Sequence, residues 1–434
     1  MNPSTREDFY WLVSDEAKPI LRQVQDAFLD QVNAVRIAKS LRKKFSPNRS
    51  ALIMEQAQLR IRARTKFKLA NEMYFTRRGL EQASGWQLAQ YKSKRYAFSR
   101  SVADVCCGVG GDLLGIAQRQ FQIQPGVEAS GQPFTVGVDS DELTSLFAGK
   151  NLEVNGISPE LANAKQANFD EFDLSQFDGV HIDPDRRVKN KKTVTGNRFS
   201  PTMDSIVETV DPNVSLGIKV APATPVKGMD VTQFEREWIG DHRECKQQML
   251  WRGSVANNPG CRTATYVGKR RTSQISVPES EVNRPSLYFD ELHRFIFEPH
   301  ASVLAANLTD HLAERYGCRR FTSNIVYLTG DRQVEDPLLT QFEILDVVRM
   351  DLRNTVRVLK ILDVGEVEVK MRGVENILKS QFARMKLEGP NKATLILTRL
   401  GKYRVAIVAK RKGNELALPE LPQDLDSDPL EDTV

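Results

Sequence analysis

A glycine-rich stretch, VADVCCGVGGDLLGIAQR (102–119), constrains the fold of this chain more than any other feature. An apolar run containing one acid, Asp104, meets the glycines Gly108, Gly110 and Gly111, and a helical pattern begins directly after them. This order predicts a strand, a tight turn and a helix. Glycines at such a corner let a ligand approach the backbone, and the free N–H groups at the helix start favour a carboxylate or phosphate. Several classes of adenosine-bearing ligand fit this pattern equally well.

The segments after the corner predict a sheet of alternating strands and helices. A buried strand ends at Asp139, a helix starts near Asp141, and a later strand ends at Asp183 and Pro184. Further strand-like apolar runs are VSLGIKVAPATP, CKQQMLWRG and RTATYVGKR, the last two forming a final pair. We therefore expect the doubly wound α/β class, in which a parallel sheet is finished by an antiparallel hairpin.

Shifts in pattern divide the chain of 434 residues into five segments. They are a helical, basic N-terminal domain (1–100), the sheet domain (101–285), a connector (286–340), a small α+β domain (341–412) and an acidic tail (413–434). The connector carries a helical pattern at about 302–316, and the α+β domain has two, at about 351–362 and 375–385. The tail is rich in proline and acids and has little apolar content, which predicts disorder.

Charge is unevenly distributed, although the net charge is only +5. Between Arg36 and Arg100 bases far outnumber acids, and Arg60 and Arg64 are two of the bases that we assign to a common face. The acids in this stretch are Glu55, Glu72 and Glu81. Such asymmetry is typical of a surface that meets a polyanion, with an ordinary solvated helix face as the alternative.

Other features exclude several classes of protein. No apolar run is long enough to cross a bilayer, and the acidic start MNPSTREDFYWLVSDE is unlike a signal peptide, so we expect a cytoplasmic location and no membrane partner. The five cysteines and five histidines show no paired or metal-ligand spacing. We therefore expect neither a disulfide framework nor a metal site.

The order of polar residues at the strand ends narrows the range of ligand classes that the glycine corner could bind. The glycine corner is followed by Asp139, by Asn168 and then by IDPDRR, which contains Asp183 and Pro184. An acid at the second strand end can accept hydrogen bonds from both ribose hydroxyls of an adenosine ligand. This order resembles class I methyltransferases that use S-adenosylmethionine.

Longer blocks make the resemblance more specific. FTRRGLEQASG, DVCCGVGGDLL, IDPDRR, KVAPATP, EWIGDHRECKQQMLW and YLTGD follow one another as in bacterial class I methyltransferases with a C-terminal THUMP-like domain. The resemblance covers about Lys44 to Lys410 and implies a Rossmann-like sheet and S-adenosylmethionine as cofactor. THUMP domains occur in RNA-modifying enzymes, so the resemblance also implies RNA as a partner, in agreement with the basic N-terminal helices.

The resemblance implies a set of cofactor-binding residues. They are Asp104, Cys106, Gly108, Gly110, Gly111, Asp112, Asp139, Asn168, Asp183 and Pro184. The glycines would let the methionine part lie against the backbone, and either Asp104 or Asp112 would bind its ammonium group. Asp139 would accept the ribose hydroxyls. Asn168 stands where many relatives have Asp beside the adenine, and its amide oxygen can still accept from the exocyclic amine.

Other residues are expected to face the target. The catalytic candidates are Asp183, Asp185 and Arg186, and the substrate-binding candidates are Arg186, Arg187, Phe75 and Thr76. In enzymes that methylate exocyclic amines, this strand is commonly followed by Pro-Pro and an aromatic residue. Here Pro184 is followed by Asp185, which weakens the case for methylation of an exocyclic amine. Arg186 and Arg187 would hold a phosphate, or else form surface ion pairs. Phe75 would cover a pocket, or else fill a junction between domains.

The adjacent cysteines Cys106 and Cys107 suggest a nucleophilic role, but small soft residues at a strand end are more often packing residues.

We interpret the chain as a methyltransferase that modifies RNA by direct in-line methyl transfer from S-adenosylmethionine. Two alternatives stay open at this point. One is a methyltransferase for a small molecule or a protein, and the other is a non-catalytic RNA-binding protein on the same fold.

Overall fold

The protein is described from a computed structural model that covers most of the chain. The described residues are 3–123, 131–185, 187–188, 191–192, 199–226, 229–282, 291–322, 325–375, 382 and 385–412. The predicted tail and most of the predicted helix at 375–385 lie outside them. The chain divides into two compact units: a sheet unit of Met1–Arg284 with Ala301–Leu308, and a C-terminal unit of Pro285–His300 with Thr309–Val434.

The sheet unit begins with helices, as the periodicity predicts. They are α1 (Pro3–Leu12), α2 (Ala17–Leu29), α3 (Ala34–Leu41), α4 (Pro47–Ala63), α5 (Arg77–Gln82) and α6 (Trp86–Ser93). The Ser46 hydroxyl accepts a hydrogen bond from the Arg49 N–H and so caps the start of α4. The Thr76 hydroxyl caps α5 in the same way through the Gly79 N–H. An extended residue, Gly85, separates α5 from α6.

The N-terminal helices share a hydrophobic core with the first part of the sheet. Leu21, Ile53 and Phe75 belong to the same buried cluster as Leu113 and Phe147, which come from the two helices after the glycine corner. Burial of this apolar surface joins the helices to the sheet in one compact unit.

The sheet confirms the predicted doubly wound class. Its strands are β1 (Ser101–Val105), β2 (Phe134–Asp139), β3 (Ala162–Gln166), β4 (Gly179–Ile182), β7 (Ser215–Val220), β8 (Glu235–Asp241), β9 (Glu244–Arg252), β10 (Cys261–Val267) and β11 (Thr272–Pro278). Two short strands, β5 (Arg187–Val188) and β6 (Lys191–Lys192), form a separate pair. The helices are α7 (Gly111–Ala117), α8 (Glu142–Val154), α9 (Met203–Thr209) and α10 (Ala301–Ala306).

The strand order is β3-β2-β1-β4-β7-β9-β8-β10-β11. The first five are parallel, and β9 runs antiparallel to both of its neighbours. The carboxyl ends of β1, β2, β4 and β7 therefore meet at one edge of the sheet, on the side where such sheets bind ligands.

One detail of the predicted sheet is wrong. The expected final pair, 245–253 with 262–270, does not form, because β9 pairs with β8 and β10 pairs with β8 and β11. The strand β8 was hidden by its acids: Glu235 and Glu237 are fully buried, and the Arg95 guanidinium donates to both at 2.8 and 2.9 Å. A strand whose buried face carries paired charges does not show the apolar alternation of an ordinary strand.

The C-terminal unit is an α+β domain, as expected. Its elements are β12 (Phe295–Pro299), α11 (Thr309–Tyr316), β13 (Arg319–Arg320), β14 (Leu328–Gly330), β15 (Leu339–Arg349), α12 (Leu352–Ile361), β16 (Val364–Met371), β17 (Asn391–Leu400) and β18 (Tyr403–Lys412). The sheet order is β13-β14-β12-β15-β18-β17-β16. The single helix expected at 302–316 is instead α10 and α11, separated at Asn307, whose φ is +59°. None of the helices in the described residues combines the length and the apolar character that crossing a membrane requires.

Candidate active site

A cavity of about 660 Å³ opens at the carboxyl ends of β1, β2, β4 and β7. Most of the predicted site residues lie in its wall: Thr76, Asp104, Cys106, Gly108, Gly111, Asp112, Asp139, Asn168, Asp183, Pro184 and Asp185. These residues are spread over more than a hundred positions in the sequence. The parallel topology brings them together, because each strand delivers its last residues to the same edge.

Each of the three glycines of the corner is required for a different structural reason. Gly110 has a φ of +89° and begins α7, so it forms the turn and does not line the cavity. A Cβ atom on Gly111 would lie 3.0 Å from the Ser84 carbonyl oxygen, so this glycine allows α7 to pack against the α5–α6 junction. Gly108, with a φ of +58°, lines the cavity, and an added Cβ would meet nothing within 4 Å. Gly108 is therefore the position at which the backbone itself is open to a ligand.

Asp139 closes the corner from the neighbouring strand. Its Oδ2 accepts a hydrogen bond from the Gly108 N–H at 3.0 Å, and its Oδ1 accepts one from the Asp141 N–H at 3.0 Å. Burial raises the pKa of this carboxyl above its ordinary value. Each oxygen has a further lone pair, so the carboxylate can still accept from hydroxyl groups of a ligand.

Asp104 is the polar group of the wall that most needs a ligand. It is 1% exposed, and neither carboxyl oxygen has a hydrogen-bond partner among the described residues. Burial and the nearby Asp112 carboxylate raise the pKa of Asp104 well above its ordinary value. A buried polar group without a partner is costly, and a bound cation or hydrogen-bond donor would relieve that cost.

Asp112, by contrast, already has partners. The Lys92 Nζ lies 2.6 Å from its Oδ1, and the Ser84 hydroxyl donates to its Oδ2 at 2.9 Å. Burial alone would raise the pKa of Asp112, but the Lys92 and Lys219 ammoniums hold it well below its ordinary value. Of the two acids that the sequence offers for a ligand ammonium, Asp104 is thus the one with free acceptor capacity.

Asp183 is paired with a lysine that sequence reasoning missed. The Lys219 Nζ donates to the Asp183 Oδ2 at 2.6 Å and lies 3.6 Å from the Asp112 Oδ2. Lys219 stands near the end of β7 and lines the cavity with Asp183. The available signal was a lysine inside the apolar run SLGIKV, where a charge is rarely placed without a partner.

Asp185, two residues after Asp183, lies at the rim of the cavity. Its backbone pairs with Ser200 through two hydrogen bonds of 3.0 and 2.9 Å, and the Arg78 guanidinium donates to its carboxylate. Arg78 lines the cavity and is another residue that sequence reasoning missed. Arg186 lies outside the described residues, and of Arg187 only the backbone is described. Their predicted contacts to a substrate phosphate stay predictions.

The prediction for Phe75 is corrected by its burial. Phe75 is 1% exposed, its N–H donates to the Gln56 Oε1 at 2.8 Å, and its carbonyl accepts from the Gln56 Nε2 at 2.9 Å. It is a core residue between the helices and the sheet, which is the alternative that the sequence left open. Thr76, one position later, does line the cavity while it caps α5.

The remaining predicted residues lie around the glycine corner. The Asn168 Nδ2 donates to the Glu171 Oε2 at 3.0 Å, which fixes the amide beside the cavity. Cys106 has a φ of +58°, and burial raises the pKa of the Cys106 and Cys107 thiols. Both cysteines are therefore neutral and poor nucleophiles. In the described residues no cluster of His, Cys, Asp and Glu could hold a metal ion.

A basic surface is present on α3 and the turn after it, and we call it the α3 surface. Its exposed side chains, which have no acidic partner among the described residues, are Arg36, Lys39, Arg42, Lys43 and Lys44. A shallow concavity is lined by Arg36, Lys39 and Lys43. Arg60 does not belong to a basic face: it is 3% exposed, and its guanidinium donates to the Met73 and Glu72 carbonyls.

Comparison with known proteins supports the same fold and organisation. Residues 339–411 match a family described as THUMP domain-like, and residues 5–63 match a domain of unknown function, DUF8688. The crystal structure of a presumed methyltransferase from Porphyromonas gingivalis W83 superimposes with a TM-score of 0.70, covering 86% of this chain and 92% of that chain at 18% identity. This likeness shows the fold.

Two curated relatives come from two strains of Mycobacterium tuberculosis, and both are named as uncharacterized S-adenosylmethionine-dependent methyltransferases. Each is 25% identical to this chain over 333 residues, which is 76% of this chain and 86% of the relative. The fold, this sequence similarity and the THUMP-like match together show that the chain is similar over most of its length to S-adenosylmethionine-dependent methyltransferases and carries a THUMP-like domain at residues 339–411.

Proposed function

We propose that this enzyme methylates RNA by direct in-line transfer. The observation that carries the proposal is the cavity at the carboxyl ends of β1, β2 and β4, where the unpartnered Asp104 carboxyl and the open backbone of Gly108 lie within one wall that also holds Asp183. A methyl transferase has to hold a cofactor and a target in line, and one continuous cavity with both sets of groups suits that task.

The residues of the wall fit S-adenosylmethionine. In the proposal, Asp104 accepts from the ammonium group, the backbone at Gly108 lies against the methionine part, and Asp139 accepts from the ribose hydroxyls. The Asn168 amide oxygen accepts from the adenine amine, since its nitrogen is occupied by Glu171. When bound, the cofactor supplies a methyl group that its positively charged sulfur has already activated.

At the reacting edge the protein has to orient a nucleophile, exclude water and accept a proton. Asp183 is the proposed acceptor, and Lys219 holds one of its oxygens. Asp185 and the Arg78 guanidinium that binds it form the rim. Arg186 and Arg187 are proposed to hold a phosphate of the substrate.

RNA is favoured as the substrate by two independent features. The α3 surface presents exposed bases without acidic partners, and such surfaces bind phosphates with strong salt dependence. Residues 339–411 match a family described as THUMP domain-like, and the resemblance to proteins with that domain implies RNA as a partner. A cytoplasmic location, where RNA substrates are abundant, is part of the same proposal.

The test is transfer of a radiolabelled methyl group from S-adenosylmethionine to RNA isolated from a strain that lacks the gene. We expect label that ribonuclease removes and protease leaves, and no label with the Asp183→Ala variant. Label that protease removes, or label in small molecules, would favour the alternative substrates instead. If calorimetry detects no S-adenosylmethionine binding to the wild type, the cofactor assignment is wrong and the alternative of a non-catalytic RNA-binding protein on this fold is favoured.

A further inference from the structure

The part of the cavity next to Asp183 is polar and, among the residues that the structure describes there, has no aromatic side chain. Its described wall consists of Pro184, Asp185, Arg78, Ser200 and Pro201, with Lys219 behind Asp183. We call this region the target subsite. Its composition decides what kind of atom can be presented to a methyl donor.

Phe169 is the one aromatic residue in the described wall of the cavity. It follows Asn168 at the end of β3, which β2 and β1 separate from β4 in the sheet, and it is 8% exposed. Phe199, close to the target subsite in sequence, is 3% exposed and packs in the core below the sheet edge. The sequence from 186 to 198, which joins Asp185 to Phe199, contains no Phe, Tyr or Trp.

A nucleobase that is methylated on its ring or amine has to be taken out of its stack and held in a pocket. Proteins hold such unstacked bases mainly by stacking them on aromatic side chains. The target subsite offers no such surface. A base that left its stack to enter this subsite would lose its stacking contacts and gain no aromatic contacts from the described wall in return.

The same subsite suits a sugar and its phosphate. The Asp183 carboxylate, anchored by Lys219 at 2.6 Å, can accept a hydrogen bond from a hydroxyl group. The Arg78 guanidinium at the rim is about half exposed and can bind a phosphate oxygen next to the sugar. In RNA the 2′-hydroxyl is accessible without removal of the base from its stack.

We propose that the accepting atom is the 2′-hydroxyl oxygen of a ribose in RNA, an inference that rests on the proposed function. The hydroxyl oxygen uses a lone pair to form the new bond to the methyl carbon, while the bond between that carbon and sulfur breaks with its electron pair going to sulfur. As the carbon–oxygen bond forms, the hydroxyl proton becomes strongly acidic and passes to the Asp183 carboxylate. The products are a 2′-O-methyl ribose, S-adenosylhomocysteine and a protonated Asp183 that returns its proton to water.

Alkaline hydrolysis of the product tests the chemistry of the accepting atom directly. Alkali cleaves RNA through the 2′-hydroxyl, so a 2′-O-methyl group leaves the adjoining phosphodiester intact. With radiolabelled S-adenosylmethionine and RNA from a strain that lacks the gene, we expect the label in alkali-resistant dinucleotides. Label in mononucleotides would overturn the inference while leaving RNA methylation intact. The absence of label in RNA would overturn both.

A second readout uses the Asp183→Asn variant, which keeps a hydrogen-bond acceptor but cannot take a proton at neutral pH. For a hydroxyl target we expect methyl transfer to fall at least about 100-fold, the usual contribution of a general base. The control is Asp204→Asn on α9, an exposed acid outside the cavity wall, which makes the same chemical change and should leave transfer within a few-fold. An Asp183→Asn variant with wild-type transfer contradicts a hydroxyl target.

Discussion

The Lys219 Nζ lies 2.6 Å from the Asp183 Oδ2, and this ion pair joins the ends of β7 and β4 at the edge of the cavity. The pair continues inward, because Lys219 lies 3.6 Å from Asp112, which in turn contacts Lys92 at 2.6 Å. Alternating charges thus extend from the core to the reacting edge. A buried charge network of this kind fixes the orientation of the side chains at the site, whereas its net contribution to the stability of the fold is small or variable.

Removal of the Lys219 ammonium should impair catalysis more than cofactor binding. In the Lys219→Met variant the Asp183 carboxylate loses its anchor, so we expect kcat to fall about 10- to 100-fold while KM for S-adenosylmethionine changes only a few-fold. Lys219→Arg keeps the charge and should restore most of the lost kcat. Steady-state kinetics of both variants check this. A Met variant with wild-type kcat would show that Lys219 has no positioning role.

Asp104→Asn should stabilise the ligand-free protein and weaken cofactor binding. The folded-state pKa of Asp104 is raised, so its ionisation destabilises the fold increasingly as the pH rises above the unfolded value of about 3.9. The variant should therefore melt above the wild type at pH 7, and the difference should shrink toward pH 4. Each pKa unit of elevation corresponds to about 1.4 kcal/mol.

Calorimetry with S-adenosylmethionine supplies the second half of that test. The amide of the variant can still accept a hydrogen bond from the ammonium, but the loss of the carboxylate charge should raise the Kd about 10-fold or more. An Asp104→Asn variant that binds the cofactor like the wild type, or that melts lower at pH 7, would remove Asp104 from the proposed ammonium site.

Gly108→Ala separates backbone strain from loss of ligand space. Gly108 and Gly156 both have a positive φ, +58° and +71°, and an added Cβ meets nothing within 4 Å at either position. Both alanine variants should lose about 1–2 kcal/mol of stability from the left-handed conformation. We expect only Gly108→Ala to weaken S-adenosylmethionine binding, by about 10-fold or more in calorimetry. Equal affinities for the two variants would contradict a ligand at the Gly108 backbone.

Charge reversal on the α3 surface should weaken RNA binding in a salt-dependent way. For Arg42→Glu with Lys43→Glu we expect the slope of log K against log salt to fall by about 0.7 for each lost phosphate contact. The control is Lys18→Glu with Lys150→Glu, an equal charge change at an exposed and a partly exposed lysine that already contact acids. Filter binding at several salt concentrations measures both. A slope that changes equally in both variants would assign the α3 surface to solvent.

The sequence predicts the site to the extent that it lies at strand ends. Asp104, Asp139 and Asp183 could be placed because glycine, proline and apolar runs mark where each strand stops, and a parallel sheet gathers those ends. Arg78 could not be placed, because its role depends on which elements become neighbours. For Lys219 the apolar run SLGIKV signalled a lysine that needs a partner, but not that the partner is Asp183.

Burial explains the predictions that were wrong. Arg60 and Phe75 resemble a surface base and a pocket aromatic, but their partners, backbone carbonyls and the Gln56 amide, lie in other elements. Strand β8 was missed for the same reason, since buried Glu235 and Glu237 depend on Arg95 from the helical region. The segment that contains such a polar residue does not reveal which distant residue will be its partner.

The central claim, methylation of RNA by this enzyme, is tested most directly by mass spectrometry of nucleosides from total RNA. Three strains are compared: one lacking the gene, the same strain carrying the wild-type gene, and the same strain carrying Asp183→Ala. We predict that one methylated nucleoside is absent from the first and third strains and restored in the second. Identical nucleoside profiles in all three strains would contradict the claim.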